Sequence, residues 1–180
     1  MSRPQLPPVP TDKQWLEDYS AEHLYYESTM LHHFAGISFP TEPLTAGEQY
    51  AKNAAVEAFA GHLRNLIEFF FYGTSGKRSD VRAHHFVLPA VVAAWSAPGV
   101  LPGNLERSKY RADRELAHLT TGRYPAASSE KGWPRRELMT ALRPRIQHFL
   151  KDADGERLAP RARDALNQLA GTAVIQRGTQ

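Results

Sequence analysis

The stretch TAGEQYAKNAAVEAFAGHLRNLIEFFFYG, residues 45–73, decides the fold class of this chain. Its apolar side chains recur at the spacing of one face of an α-helix: Phe59, Leu63, Leu66, Ile67 and Phe70. Thr45 and Glu48 match a capping box, in which a hydroxyl and a carboxylate satisfy free amides at the helix start. Gly73 supplies the stop. We therefore predict one long helix with a buried apolar face.

The same helical spacing extends to both sides of this segment, and alternating strand-like runs are absent. A first helix is predicted from Thr11 or Asp12 to about His33. Its predicted buried stripe comprises Trp15, Tyr19, Tyr26, Met30 and Phe34. Further on, a short helix is predicted from Ser79 or Asp80, and a second apolar turn or helix after Pro89.

The last third of the chain predicts three more helices. One is expected from Asn104 to about Gly122, one with Pro134 in its first turn and a kink at Pro144, and a weaker one near residues 158–175. The fold class is therefore all-α, a compact helical bundle of about five to six helices. We predict a flexible proline-rich N-terminus at 1–10, the bundle at 11–153, and a C-terminal helix and tail at 154–180.

Composition limits the functions that the chain can have. No run of eighteen apolar residues occurs, so no membrane span is expected. The absence of cysteine excludes disulfides, thiolate metal sites and cysteine nucleophiles, and fits a cytoplasmic protein. Residues 1–60 carry eight acids against three bases, which leaves 19 bases and 11 acids for the rest of the chain. That basic part is compatible with a polyanionic partner such as RNA.

The stretch RADRELAHLTTGR, residues 111–123, holds the strongest candidate catalytic residues. Arg111 and His118 lie about two helical turns apart and so share a face. The planar guanidinium of arginine can donate two hydrogen bonds to a phosphate, and a histidine can accept and donate protons near neutral pH. Together they supply the minimum for cleaving RNA without a metal or other cofactor. The same residues also fit a plain charged helix face, with His118 half-buried.

Four other polar residues are supporting candidates for phosphate binding: Arg64, Asn65, Arg114 and Arg123. Arg64 and Asn65 interrupt the most hydrophobic helix, where an arginine is costly to bury unless it is paired. A salt bridge to Glu68, one turn further on, is the plain explanation for Arg64. Arg64 could also anchor the Arg111 helix or extend a phosphate site.

A histidine–carboxylate metal site is the third interpretation, because eight histidines accompany glutamates on predicted bundle helices. The Glu-x-x-His pair that marks such sites is absent from both long N-terminal helices. Adjacent histidines at 32–33 and 84–85 diverge by about 100° on a helix and rarely bind one ion together. We therefore assign no metal ligands.

The segments RNLIEFFF, DVRAHHF and ELAHLTTGR, followed by a tryptophan before another helix, resemble the HEPN superfamily (higher eukaryotes and prokaryotes nucleotide-binding). An all-α domain with an arginine, several residues and then a histidine on a late helix is similar to the same family. The resemblance covers about residues 15–150. The family often has a polar residue directly after the arginine, where this chain has Ala112.

The resemblance implies a metal-independent endoribonuclease that works as a homodimer, with the Arg-His motifs of two chains meeting in one cleft. Arg111 would contact the scissile phosphate and His118 would be the acid–base group. Such domains serve in toxin–antitoxin pairs and phage defence, so an antitoxin or other protein partner is also implied. Some members are inactive, and a non-catalytic binding or dimerisation module is the alternative.

Overall fold

The computed structural model describes residues 6–39, 43–115 and 132–171. Within those ranges the chain is an all-α helical bundle, as predicted, and its one β-type contact is an isolated antiparallel bridge between Val87 and Ala153. The helices are α1 Lys13–Tyr19, α2 Tyr25–Gly36, α3 Ala46–Phe71, α4 Val92–Ser96, α5 Gly103–Glu115, α6 Arg135–Asp152 and α7 Pro160–Ala170. No helix in the described ranges is long and apolar enough to cross a membrane.

A π-helical turn, Ser20–Leu24, joins α1 to α2 without a break. Asp12 caps the start, its carboxylate accepting from the Trp15 amide at 2.9 Å, so the predicted beginning is confirmed. None of the five residues of the predicted stripe is fully buried: Tyr26 is 52% exposed, and the other four are half-buried. The residues buried instead are Leu16, Ser20, Leu24, Ser28 and Leu31. Leucine and serine allow close packing, whereas tyrosine keeps its hydroxyl in water.

Helix α3 is the central element of the bundle and packs against α2, α5 and α6. Both halves of the predicted capping box are present: Thr45 accepts from the Glu48 amide, and Glu48 accepts from the Thr45 amide at 2.8 Å. The predicted apolar face is confirmed, because all five of its residues are buried. A cluster of aromatic rings from α3, α4 and α6 fills the core around Phe70 and Phe149.

The connection between α3 and α4 differs from its prediction. No helix begins at Ser79 or Asp80; a single 3-10 turn occurs at Ala83–His85. The Asp80 carboxylate accepts from the Lys77 amide at 2.9 Å and from Arg82, so it stabilises a loop and not a helix start. After Pro89, a 3-10 turn at Pro89–Val91 leads into α4, as expected.

The last two helices complete the bundle. Helix α6 starts at Arg135, so Pro134 is its N-cap residue and not part of its first turn as predicted, and the helix runs through Pro144 to Asp152. Helix α7 ends at Gly171, whose left-handed backbone (φ 70°) gives its amide two carbonyl acceptors in the last turn. Its buried leucines, Leu166 and Leu169, belong to the same apolar cluster as α3 and α6. The predicted extension of α5 to Gly122 lies outside the described residues.

Candidate nucleic-acid interface

Helix α5 presents three different faces. Leu105, Ser108 and Ala112 are buried, and this face holds the helix on the bundle. Ala112 is 2% exposed, which explains why a small apolar residue follows Arg111 here. The positively charged side chains of α5 lie on two sides of that buried strip. We call the side with Arg107, Arg111 and Arg114 the arginine face. The side with Lys109 and Asp113, together with the residues that form ion pairs with it or with one another there (Arg64, Glu68 and Arg82), is the paired face.

The arginine face follows from spacing. Residues 107, 111 and 114 are four and three apart, so their side chains lie above one another along the helix. Arg107 and Arg114 are exposed, and Arg111 is half-buried. The sequence interpretation included Arg111 and Arg114 but missed Arg107. The signal for Arg107 was present, because position 107 continues the same stripe one turn towards the helix start.

Arg111, on α5, contacts the two residues Gly132 and Trp133, which lie just before α6. Its Nη1 donates to the Gly132 carbonyl oxygen at 2.8 Å, and its guanidinium lies 4.6 Å from the ring centre of Trp133. The same indole packs edge-on against Phe59 of α3, with ring centres 6.4 Å apart. These contacts link three helices through one cation–π pair.

Arg114 and Tyr110 form a second arginine–aromatic pair, on the solvent side of α5. The guanidinium lies 5.2 Å from the centre of the tyrosine ring and donates to its hydroxyl. Tyr110 is 60% exposed. Positive guanidinium groups beside exposed aromatic rings can bind a phosphate backbone and stack on unpaired bases.

The paired face is an ion-pair network between α3 and α5. Lys109 contacts Asp113 at 2.6 Å and Glu68 at 3.2 Å. Arg64 contacts Glu68 at 3.2 Å, which confirms the predicted pairing, and also contacts Asp113. Arg82 adds a longer contact to Glu68 at 3.5 Å. Cations and carboxylates alternate throughout, so the charges of this face largely cancel.

The pKa values of the paired face follow from this arrangement. Burial alone would lower the pKa of Lys109, but its hydrogen bonds to Asp113 and Glu68 raise the pKa above its usual value. Burial alone would raise the pKa of Asp113, and the hydrogen bonds from Lys109 and Arg64 lower it instead. Each group is therefore held in its charged form.

The structure separates the predicted supporting residues. Arg64 lies on the paired face, where it anchors α5 through Asp113. Asn65 turns towards α2 and donates to the Glu27 carboxylate at 3.2 Å. Arg114 lies beside Arg111 on the arginine face, as their spacing required. His118 and Arg123 lie outside the described residues, so their roles stay predictions.

A histidine–carboxylate pair does occur in the bundle, between His62 of α3 and Glu27 of α2. The Nδ1 atom lies 2.7 Å from a carboxylate oxygen, and Asn65 occupies the other oxygen of Glu27. Within the described ranges, no group of three or more histidine, aspartate or glutamate side chains is placed to hold a metal ion.

In comparisons with known proteins, no protein-family model, no curated protein and no solved structure matches this chain.

Proposed function

We propose that this chain binds RNA through the arginine face and cleaves it without a metal, as a HEPN-type endoribonuclease. The observation that supports the proposal is the arginine face itself: three arginines in register on α5, with the rings of Tyr110 and Trp133 beside them. The basic composition after residue 60 agrees with a polyanionic partner.

The proposed reaction needs two groups on one helix face. Arg111 binds the scissile phosphate and stabilises the charge that develops on it. His118 removes the 2′-hydroxyl proton or protonates the leaving oxygen. In the sequence, His118 follows Arg114 by four residues, which is the spacing of one helical face. The Gly132 carbonyl and the Trp133 ring fix the guanidinium before RNA arrives, which lowers the entropy cost of binding.

The proposed active unit is a homodimer in which the Arg-His pairs of two chains form one cleft. A ribonuclease of this kind fits a toxin or phage-defence role in the cytoplasm, with an antitoxin or another protein as its regulator. These parts of the proposal come from the HEPN resemblance of the motif.

A second candidate function is a non-catalytic RNA-binding or dimerisation module. The contacts of Arg111 favour it, because a cation that joins α5, α6 and the Phe59–Trp133 pair has a structural role without any chemistry. Such a module would still bind RNA through Arg107 and Arg114.

The deciding experiment incubates an RNA pool with the wild type and the His118→Ala chain, with EDTA present throughout. His32→Ala is the matched control, since His32 is an exposed histidine on α2. Cleavage by the wild type and the control, with none by His118→Ala, would support the ribonuclease. RNA binding without cleavage by any chain would favour the non-catalytic module. Equal cleavage by all three chains would contradict the role of His118.

A further inference from the structure

A groove runs between the α1–α2 helix, α3 and the 79–82 loop, on a different part of the molecule from the arginine face. Leu24, Leu66 and Phe69 form its apolar floor. Its open part measures about 610 Å³, which is within the range of ligand-binding clefts. The N-terminal segment Leu6–Pro10 forms one of its borders, and we call this segment the strap.

Aromatic rings form one wall of the groove. Trp15 and Tyr19 are stacked, with ring centres 5.2 Å apart and planes at 25°. The His23 ring follows at 4.6 Å from Tyr19. Burial raises the pKa of Tyr19 above its usual value, so its phenol stays neutral and keeps a proton to donate. Stacked aromatic rings with such donors are the surface that recognises proline-rich peptides.

The strap has the sequence LPPVP, and its conformation is restricted by its prolines. Prolines at 7, 8 and 10 fix their own φ angles. The residue before a proline is limited to extended conformations, and this applies to Leu6, Pro7 and Val9. The strap is thus an extended, polyproline-like segment with a P-x-x-P pattern, bordering an aromatic wall.

The backbone of the strap can donate few hydrogen bonds to the groove. Because proline lacks an amide hydrogen, only Leu6 and Val9 of these five residues can donate a backbone hydrogen bond. The Val9 amide donates to the Arg78 carbonyl oxygen at 3.1 Å. A covering segment with so few donors is suited to exchange with a competing segment.

The strap borders two cavities. A second cavity of about 260 Å³ lies on the far side, between the strap, the Gly73–Arg78 turn and His84. Pro8, Val9, Asp80 and Arg82 border both cavities, so the strap divides one continuous surface.

Charge on the groove lining favours a peptide that carries a basic residue. Three carboxylates border the larger cavity: Glu68 and Asp80 are paired with arginine or lysine side chains, whereas Glu27 contacts His62 and Asn65. Arg82 also borders it, but its side chain is only 10% exposed and contacts Asp80 at 2.9 Å. Arg3, three residues before Leu6 in the sequence, supplies such a basic residue in the strap's own extension.

We infer that this groove is a docking site for a proline-rich, extended segment of another protein, and that the strap, which borders the groove, competes with it as a tethered segment. A tethered segment acts at an effective concentration in the millimolar range, so it masks the groove until a stronger ligand displaces it. The inference concerns a protein partner and does not depend on the proposed ribonuclease activity.

The test measures binding of a fluorescein-labelled peptide, RPQLPPVPT (residues 3–11), to the full chain by fluorescence anisotropy. The strap variant Pro7→Gly/Pro8→Gly restores backbone freedom and weakens the tethered competitor, while the groove keeps its residues. We expect this variant to bind the peptide about fivefold more tightly than the wild type. A control peptide with Pro7→Ala, Pro8→Ala and Pro10→Ala should bind neither chain.

Three outcomes would overturn the inference. The first is no binding of the peptide to the strap variant at millimolar concentration, and the second is equal binding of the alanine peptide. The third is a wild-type dimer that becomes monomeric in the strap variant, because the occupant would then be the strap of a second copy and not another protein. Peptide binding that is lost in a folded Trp15→Ala chain would place the site on the aromatic wall and support the inference.

Discussion

Helix α5 holds positive side chains on two faces by two different means. On the paired face, Lys109 contacts the carboxylates of Asp113 and Glu68. On the arginine face, Arg111 contacts the Trp133 ring and Arg114 contacts the Tyr110 ring. A carboxylate cancels the charge of its partner, whereas an aromatic ring attracts a cation and leaves its net charge in place.

The difference distinguishes the roles of the candidate arginines. Arg64 was a phosphate-binding candidate from its sequence position, yet its contacts to Glu68 and Asp113 serve to hold α3 against α5. Arginines beside aromatic rings can contact a phosphate backbone. Variants of the paired face should therefore change stability, and variants of the arginine face should change RNA binding.

The largest effect is expected for Glu68→Ala, at the centre of the paired face. Glu68 contacts Arg64, Lys109 and Arg82, and the Arg82 side chain is only 10% exposed. Removing the carboxylate leaves partly buried cations facing one another, which costs about 3 kcal/mol in the free energy of unfolding. Urea denaturation measures this cost.

Glu57→Ala is the matched control for that experiment, because Glu57 is an exposed glutamate on the same helix. It should change the unfolding free energy by less than about 0.5 kcal/mol. RNA affinity of the folded Glu68→Ala chain should stay at the wild-type value. A drop in RNA affinity comparable to that of an arginine-face variant would break the distinction between the two faces.

The second effect in size is expected for Trp133→Ala, where the arginine face joins the core. The indole contacts both Arg111 and Phe59, so its removal should cost about 2 kcal/mol of unfolding free energy. Trp133→Phe keeps a ring and should recover most of that stability. Thermal unfolding followed by circular dichroism compares the two variants, and equal destabilisation would show that the ring does not support Arg111.

Much of the fold could be predicted from periodicity and caps. The α3 face, its capping box and the start of the first helix depend on residues close in sequence, so local patterns were sufficient. The stripe of the first helix was misassigned at Tyr26 because aromatic identity was taken as burial. No local sequence pattern marked the π turn at Ser20–Leu24, and none excluded a helix start at Asp80.

The candidate site could be predicted less well, for a physical reason. Helical spacing brought Arg111 and Arg114 together, and it could have added Arg107. The partners of the cations lie far along the chain, however: Arg111 and Gly132 are 21 positions apart, and Arg64 and Asp113 are 49 positions apart. Only the packing of α3, α5 and α6 decides which cation meets a carboxylate and which meets a ring.

Weaker RNA binding is the third expected effect. Arg107→Ala and Arg114→Ala should each weaken RNA binding about fivefold, because each removes one guanidinium that binds a phosphate in the proposed interface. The slope of log affinity against log salt should fall by about 0.7 for each phosphate interaction that a variant removes on single-stranded RNA. Filter binding across a salt series gives both quantities.

Lys151→Ala, at an exposed lysine near the end of α6, is the control for the salt series. It removes the same formal charge at a position outside the arginine face. An equal drop in affinity in this control would show that RNA responds to the net charge of the chain and not to the arginine face.

The smallest effect is a change in pH dependence for Asp113→Asn. Hydrogen bonds from Lys109 and Arg64 outweigh burial and hold the pKa of Asp113 below its usual value of 3.8. The ionised carboxylate therefore contributes stability that is fully present above the unfolded pKa and is lost as pH falls through the lower, folded pKa. The neutral amide of asparagine cannot titrate. The variant should be less stable than the wild type at about pH 6, and this gap should narrow towards about pH 2.

Chemical denaturation at several pH values measures the gap, with Asp164→Asn as the control. Asp164 is an exposed aspartate on α7, outside the paired face, so the Asp164→Asn chain should be as stable as the wild type at about pH 6. A gap for Asp113→Asn that stays constant across the acid range would mean that the charge of Asp113 adds nothing to stability. The paired face would then hold α5 by packing around its side-chain stems, and the contrast with the arginine face would rest on geometry and not on charge.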